Sequence, residues 1–131
     1  MDTNILMDLL LNHPAFQLQS EAALREVSQQ GALVICEVVY VEMAGLFLEQ
    51  SLLDDFLTKT GIEMKPSLPK TLWKAGELWR KSRRGSTDEP ISRRRFLAGF
   101  LIGAHALLQA DRLLTRDKGF YRASFTGLSL I

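Results

Sequence analysis

The sequence predicts an α/β fold with a mainly parallel sheet, and three observations lead there. Short apolar runs rich in β-branched residues, such as ALVIC at 32–36, alternate with longer stretches of helical spacing. Glycines stand where two of those helical stretches stop. The 131 residues, 47% of them hydrophobic, are one domain's worth and enough to bury a core.

Taken in order, ILMDLLLN (5–12) is helical and stops before Pro14. QLQSEAALREVSQQ (17–30) is a second amphipathic helix, with Gly31 expected as its C-terminal cap. ALVIC is a buried strand, and a helix from about 38 to 49 follows it. SLLDDFLTKT (51–60) is the next helix, ended by Gly61, and IEMKP supplies a brief strand at 62–65. Ser67 is placed to cap LPKTLWKAGELWRKSRR. Its Trp73 and Trp79, like Phe96, recur at helical spacing and are expected in the core. GSTDEP (85–90) reads as a loop, and a helix from about 92 to 110 carries FLAGFLIGAH. DRLLT (111–115) is a strand behind a turn, a loop follows the DKG turn, and GLSLI (127–131) is the last short strand. Within the 92–110 helix, Gly103 allows a neighbouring element to come close, whereas Gly99 has no packing reason visible in sequence.

Composition narrows the chemistry. The net charge of +1 conceals a split: residues 1–65 hold ten Asp or Glu against three Lys or Arg, and residues 66–131 hold five against thirteen. A polyanion, an acidic partner or a solvated face all account for the basic half. No run approaches the ~18 apolar residues of a membrane span. The opening MDTNILMDLLLNHP carries acids where a signal peptide carries bases, so it is expected to be mature sequence. The lone Cys36 fits a reducing cytoplasm, excludes an internal disulfide and is expected to be a buried structural residue. There is no zinc-type Cys/His spacing and no phosphate- or dinucleotide-binding glycine pattern. His13 and His105 lack a nucleophile nearby in sequence, and His105 reads as a helix histidine.

In parallel sheets, ligands gather at the carboxyl ends of strands. Asp2, followed by Thr3 and Asn4, Glu42 after ALVIC, and Asp117 past DRLLT all fall at such ends. Carboxylates grouped there repel one another unless a divalent cation lies among them, and an all-oxygen set suits Mg²⁺ or Mn²⁺. Such an ion generates hydroxide and polarises a phosphodiester.

DTNIL (2–6), YVEMAG around Glu42, and FLIGAHALLQADRLLTRDKGFYR (100–122) together resemble a PIN domain, in particular VapC-type toxins of bacterial toxin–antitoxin pairs. The resemblance covers nearly the whole chain. It implies a single domain over 1–131, a three-layer α/β/α arrangement with four to five short strands. It also implies a Mg²⁺- or Mn²⁺-dependent endoribonuclease, restrained by a small VapB-like antitoxin that presents an arginine to the acids, and a homodimer in the cytoplasm. Of the family's four metal-binding acids, the first maps onto Asp2, the second onto Glu42 and the fourth onto Asp117, with Asn4 and Thr115 in support. Arg112, Arg116 and Lys118 are expected to meet RNA phosphates.

Two departures stand out. The third acid's place, LADFLIGAHA in the family, reads LAGFLIGAHA here and belongs to Gly99. A lost ligand of this kind commonly costs roughly a thousandfold in rate. The rival reading is therefore a catalytically silent PIN domain that binds RNA or an antitoxin. Secondly, only Met1 precedes Asp2 where the family has several strand residues, so the first strand is expected to be very short.

Overall fold

The computed structural model describes residues 1–82 and 92–131. Arg83, Arg84, the loop expected at 85–90 and the side chains of Arg93, Arg94, Arg95 and Phe96 lie outside the described residues. The chain divides into two compact units. The first is Met1–Pro66 with Leu114–Arg116 and Ile131; the second is Ser67–Leu113 with Asp117–Leu130.

The first unit holds helices α1 (Thr3–Leu10), α2 (Gln17–Ser28), α3 (Glu37–Ala44) and α4 (Gln50–Thr60), with strands β1 (Leu33–Ile35) and β2 (Ile62–Met64). β1 and β2 pair in parallel, Leu33 opposite Ile62 through Ile35 opposite Met64. Parallel neighbours need a crossover, which α3 and α4 supply. α4 ends as its sequence predicts: Gly61 takes φ 66°, a left-handed conformation that costs glycine nothing. Gly31 is not a cap, because α2 stops at Ser28 and Gln29 closes it in the right-handed region. α3 is shorter than the expected 38–49. Leu46 and Phe47 donate to the carbonyls of Met43 and Ala44, three residues back, and these tight turns unwind the helix.

Met1 and Asp2 run beside β1 without forming a strand of their own. The Met1 amine donates to the Val34 carbonyl at 2.8 Å, and the Asp2 N–H donates to the Leu114 carbonyl at 3.0 Å. Below them Ile5, Val27 and Leu114 pack together with Met1, Ala23, Leu24, Leu33 and Ile131.

The second unit holds α5 (Pro69–Ser82), α6 (Ser92–Gln109) and α7 (Lys118–Ser124). The Gln109 side-chain carbonyl accepts from Leu68 N–H at 2.9 Å and Thr71 hydroxyl at 2.6 Å, tying the start of α5 to the end of α6. Trp73 is a correction: it is 80% exposed, because α5 buries the stripe through Thr71 and Ala75 instead. The loop expected after DKG is α7, whose first turn is closed by Asp117. The strands expected at 111–115 and 127–131 reduce to one parallel bridge, Leu113 with Leu130. Two strands are therefore formed among the described residues rather than four or five, since the remaining extended stretches are too short for a ladder. The α/β class and parallel pairing stand. No helix among the described residues is long and apolar enough to cross a membrane.

Gly103 does admit a close neighbour, and Gly99 has a packing role that sequence did not reveal. A Cβ at residue 103 would lie 2.3 Å from Cζ of Phe125, and one at residue 99 would lie 2.7 Å from Cε1 of Phe120. One turn apart on α6, the two glycines seat two rings of an aromatic group that includes Phe100 and Tyr121. This packing offsets the roughly 1 kcal/mol that each glycine costs a helix. Gly103→Ala is expected to lower stability by about 1–3 kcal/mol in urea denaturation, and by less in a Phe125→Leu background. An unchanged midpoint would contradict the close approach.

Candidate functional site

Asp2 occupies the N-cap position of α1, where an aspartate ordinarily binds the helix's own free N–H groups. Its side chain makes no such bond. The Oδ2 atom instead accepts from the Thr115 hydroxyl at 2.6 Å and from Asn4 Nδ2 at 2.8 Å. Asn4 Nδ2 also lies 3.2 Å from the Thr115 hydroxyl, so the three side chains close a triangle. Asp2 is only 8% exposed, and Oδ1 takes part in neither of these bonds.

Glu42 projects from α3 and accepts a hydrogen bond from the hydroxyl of buried Thr3. Two predicted acids are thereby brought onto consecutive residues at the start of α1. Thr3, which the sequence places only as the residue after Asp2, thus donates to Glu42.

A third carboxylate in this unit was missed. Asp8 is 1% exposed, and its Oδ2 accepts from the Ser20 hydroxyl at 2.6 Å and from Arg116 Nε at 2.7 Å. The Arg116 guanidinium also lies over the Phe16 ring, 4.2 Å from its centre. The available signal was a lone acid inside the apolar run ILMDLLL, which helical burial forces to find a partner.

In the second unit, Asp117 Oδ1 accepts from Phe120 N–H at 3.1 Å. Gly99 faces the Phe120 ring. Arg112 and Lys118 are exposed. Cys36 is buried, and burial pushes its thiol above the ordinary range, which disfavours a nucleophilic role.

The first unit offers oxygen donors of the kind that suit a hard cation. Asp2 and Glu42 offer carboxylate oxygens, and neither is ion-paired with a Lys or Arg side chain among the described residues. Among those residues no group of three or more His, Cys, Asp or Glu side chains is disposed to hold a metal ion.

The sequence matches the family model of the PIN domain over residues 1–126. This chain belongs to the PIN domain family. Among solved structures, the PIN chain is similar to a chain of VapBC2 from Rickettsia felis, determined bound to a DNA fragment from their promoter. The two are 22% identical, with a TM-score of 0.68 over 99% of this chain and 94% of the other. No curated protein matches the sequence.

In this PIN domain the Thr115 hydroxyl is the shortest link to Asp2. Thr115→Val keeps the shape and removes the donor, so metal-free stability is expected to fall by about 1.5–3 kcal/mol, as for a hydrogen bond to a charged group. Thermal or urea unfolding of the variant measures it, and no loss would mean that the bond holds nothing in place.

Proposed function

We propose that this PIN domain is a VapC-like endoribonuclease that hydrolyses RNA phosphodiesters with Mg²⁺ or Mn²⁺ in the cytoplasm, acting as one domain over 1–131. The observation that carries the reading is Asp2: a cap residue that does not cap, its carboxylate gripped at one oxygen by Thr115 and Asn4. Asp2 and Glu42 of the first unit are the residues that would hold the ion, and the family resemblance adds Asp117. When bound, the ion supplies a hydroxide at neutral pH and polarises the phosphodiester. Asn4 and Thr115 orient Asp2, and Thr3 orients Glu42. The exposed Arg112 and Lys118 are placed by the reading against RNA phosphates, with Arg116 as a third contact expected from sequence.

The likeness to a VapBC2 chain supports a VapB-like antitoxin as the protein partner. An antitoxin arginine suits an acidic site, because a guanidinium takes a cation's place among carboxylates. A homodimer follows from the same family resemblance.

A second reading has its own observation. Residue 99 is glycine, and the Phe120 ring fills the space of a side chain there. That arrangement favours a catalytically silent PIN domain that retains RNA or antitoxin binding.

A cleavage assay on single-stranded and hairpin RNA, with and without Mn²⁺, separates the two. The nuclease reading expects Mn²⁺-dependent cleavage that falls at least a hundredfold in Asp2→Asn. Gly99→Asp is expected to gain activity chiefly when combined with Phe120→Ala, which clears the ring. RNA or antitoxin binding with no cleavage in any form would establish the silent module.

A further inference from the structure

We infer that Asp8, Ser20 and Arg116 form a latch, buried at Asp8 and Ser20, that aims the Asn4 and Thr115 donors, and through them sets which oxygen of Asp2 is left for a cation. This rests on the metal-nuclease reading of Asp2. Asp8, Ser20 and Arg116 are positioning residues in it; none touches the reacting atoms.

The geometry begins with spacing. Asn4 and Asp8 are four residues apart on α1 and share one helix face. Both hold residue 116, by different atoms. The Arg116 backbone N–H donates to Asn4 Oδ1 at 3.3 Å, while its Nε donates to Asp8 Oδ2 at 2.7 Å. The bond to Oδ1 fixes which way the Asn4 amide faces, so Nδ2 is turned toward Asp2 and Thr115. Thr115 precedes Arg116 in the chain, and anchoring one residue restrains the hydroxyl of the other, 2.6 Å from Asp2 Oδ2. Both donors then converge on Oδ2, leaving Oδ1 out of these bonds.

The latch is built to hold direction. Ser20 binds the same Asp8 oxygen at 2.6 Å, and Phe16 backs the guanidinium at 4.2 Å. Arg116 is therefore held by Asp8 on α1 and by Phe16 in the segment before α2, while Ser20 on α2 holds Asp8. Well-packed apolar side chains stabilise a fold at least as well as a buried ion pair does, so stability alone is a weak reason for this one. A planar guanidinium engaged by its edge and its face restrains position more tightly than a lysine. The Arg116 side chain, 32% exposed, engages Asp8 through Nε while part of it still faces solvent.

The test uses the full chain with Asp8→Asn, Arg116→Lys and Asn4→Ala. Side-chain amide spectra of Asn4 read the latch without metal, and calorimetry with MnCl₂ reads the site. The latch predicts that Asp8→Asn and Arg116→Lys shift or broaden the Asn4 amide pair and weaken Mn²⁺ binding fivefold or more. In an Asn4→Ala background, Asp8→Asn is expected to weaken Mn²⁺ binding by a smaller factor than in the unmodified chain, because only the Thr115 arm of its effect remains. A purely structural Asp8 would leave the amide pair in place, or the two losses in affinity would multiply; either result overturns the latch. If the unmodified chain takes up no Mn²⁺, the metal reading of Asp2 fails separately, and the amide spectra alone decide the positioning claim. Should Asp8→Asn not fold, Ser20→Ala withdraws one bond from the same oxygen and gives the same readouts in milder form.

Discussion

The hydrogen bond from the Thr115 hydroxyl to the Asp2 carboxylate joins residues 113 positions apart, and the first unit depends on it. The backbone prepares it: Asp2 N–H meets the Leu114 carbonyl, and Thr115 N–H meets the Ile131 carbonyl. With those bonds made, the start of α1 lies against the 114–116 segment, and Asp2, Thr3 and Asn4 fall at the point where that segment ends. Asp2 turns toward Thr115 and gives up its capping bond. A residue that breaks a local rule while its neighbours satisfy theirs is where functional demand is expected to show.

Two kinds of carboxylate share this unit, and their surroundings separate them. Asp8 is buried and its charge is met by Arg116, so it has little left to offer a ligand. Asp2 and Glu42 are met by hydroxyl and amide donors, which hold a carboxylate's direction without cancelling its charge. That difference separates a structural ion pair from a pair of candidate ligands, and it is invisible in a count of acids.

Much of this was legible in the sequence where local chemistry decides the outcome. Gly61 ends α4 because glycine, with no Cβ, takes φ 66° at no steric cost, and the centre of ALVIC is a strand because the run is short, apolar and partly branched. Asp2, Asn4 and Thr115 were readable as a group through the PIN resemblance, although their contact depends on distant segments. What escaped was set by packing across elements. Asp8 carried only the hint of an acid in an apolar run, and its partners lie 12 and 108 residues away. Gly99 looked like a deletion of chemistry, yet it also seats Phe120, a ring 21 positions further on. Trp73 looked like core from its spacing, but α5 turns a different stripe inward. Gly31 stood at the right distance for a cap, while α2 closes without any left-handed residue.

The central claim is that the oxygen of Asp2 left outside its two hydrogen bonds faces a divalent cation. Crystals soaked in MnCl₂, with anomalous scattering recorded near the manganese edge, test it most directly. A manganese peak within coordination distance of the Asp2 carboxylate, about 2.0–2.3 Å, is the expected result. A fully occupied ion bound only elsewhere, or no manganese at Asp2 at saturating concentration, would contradict it.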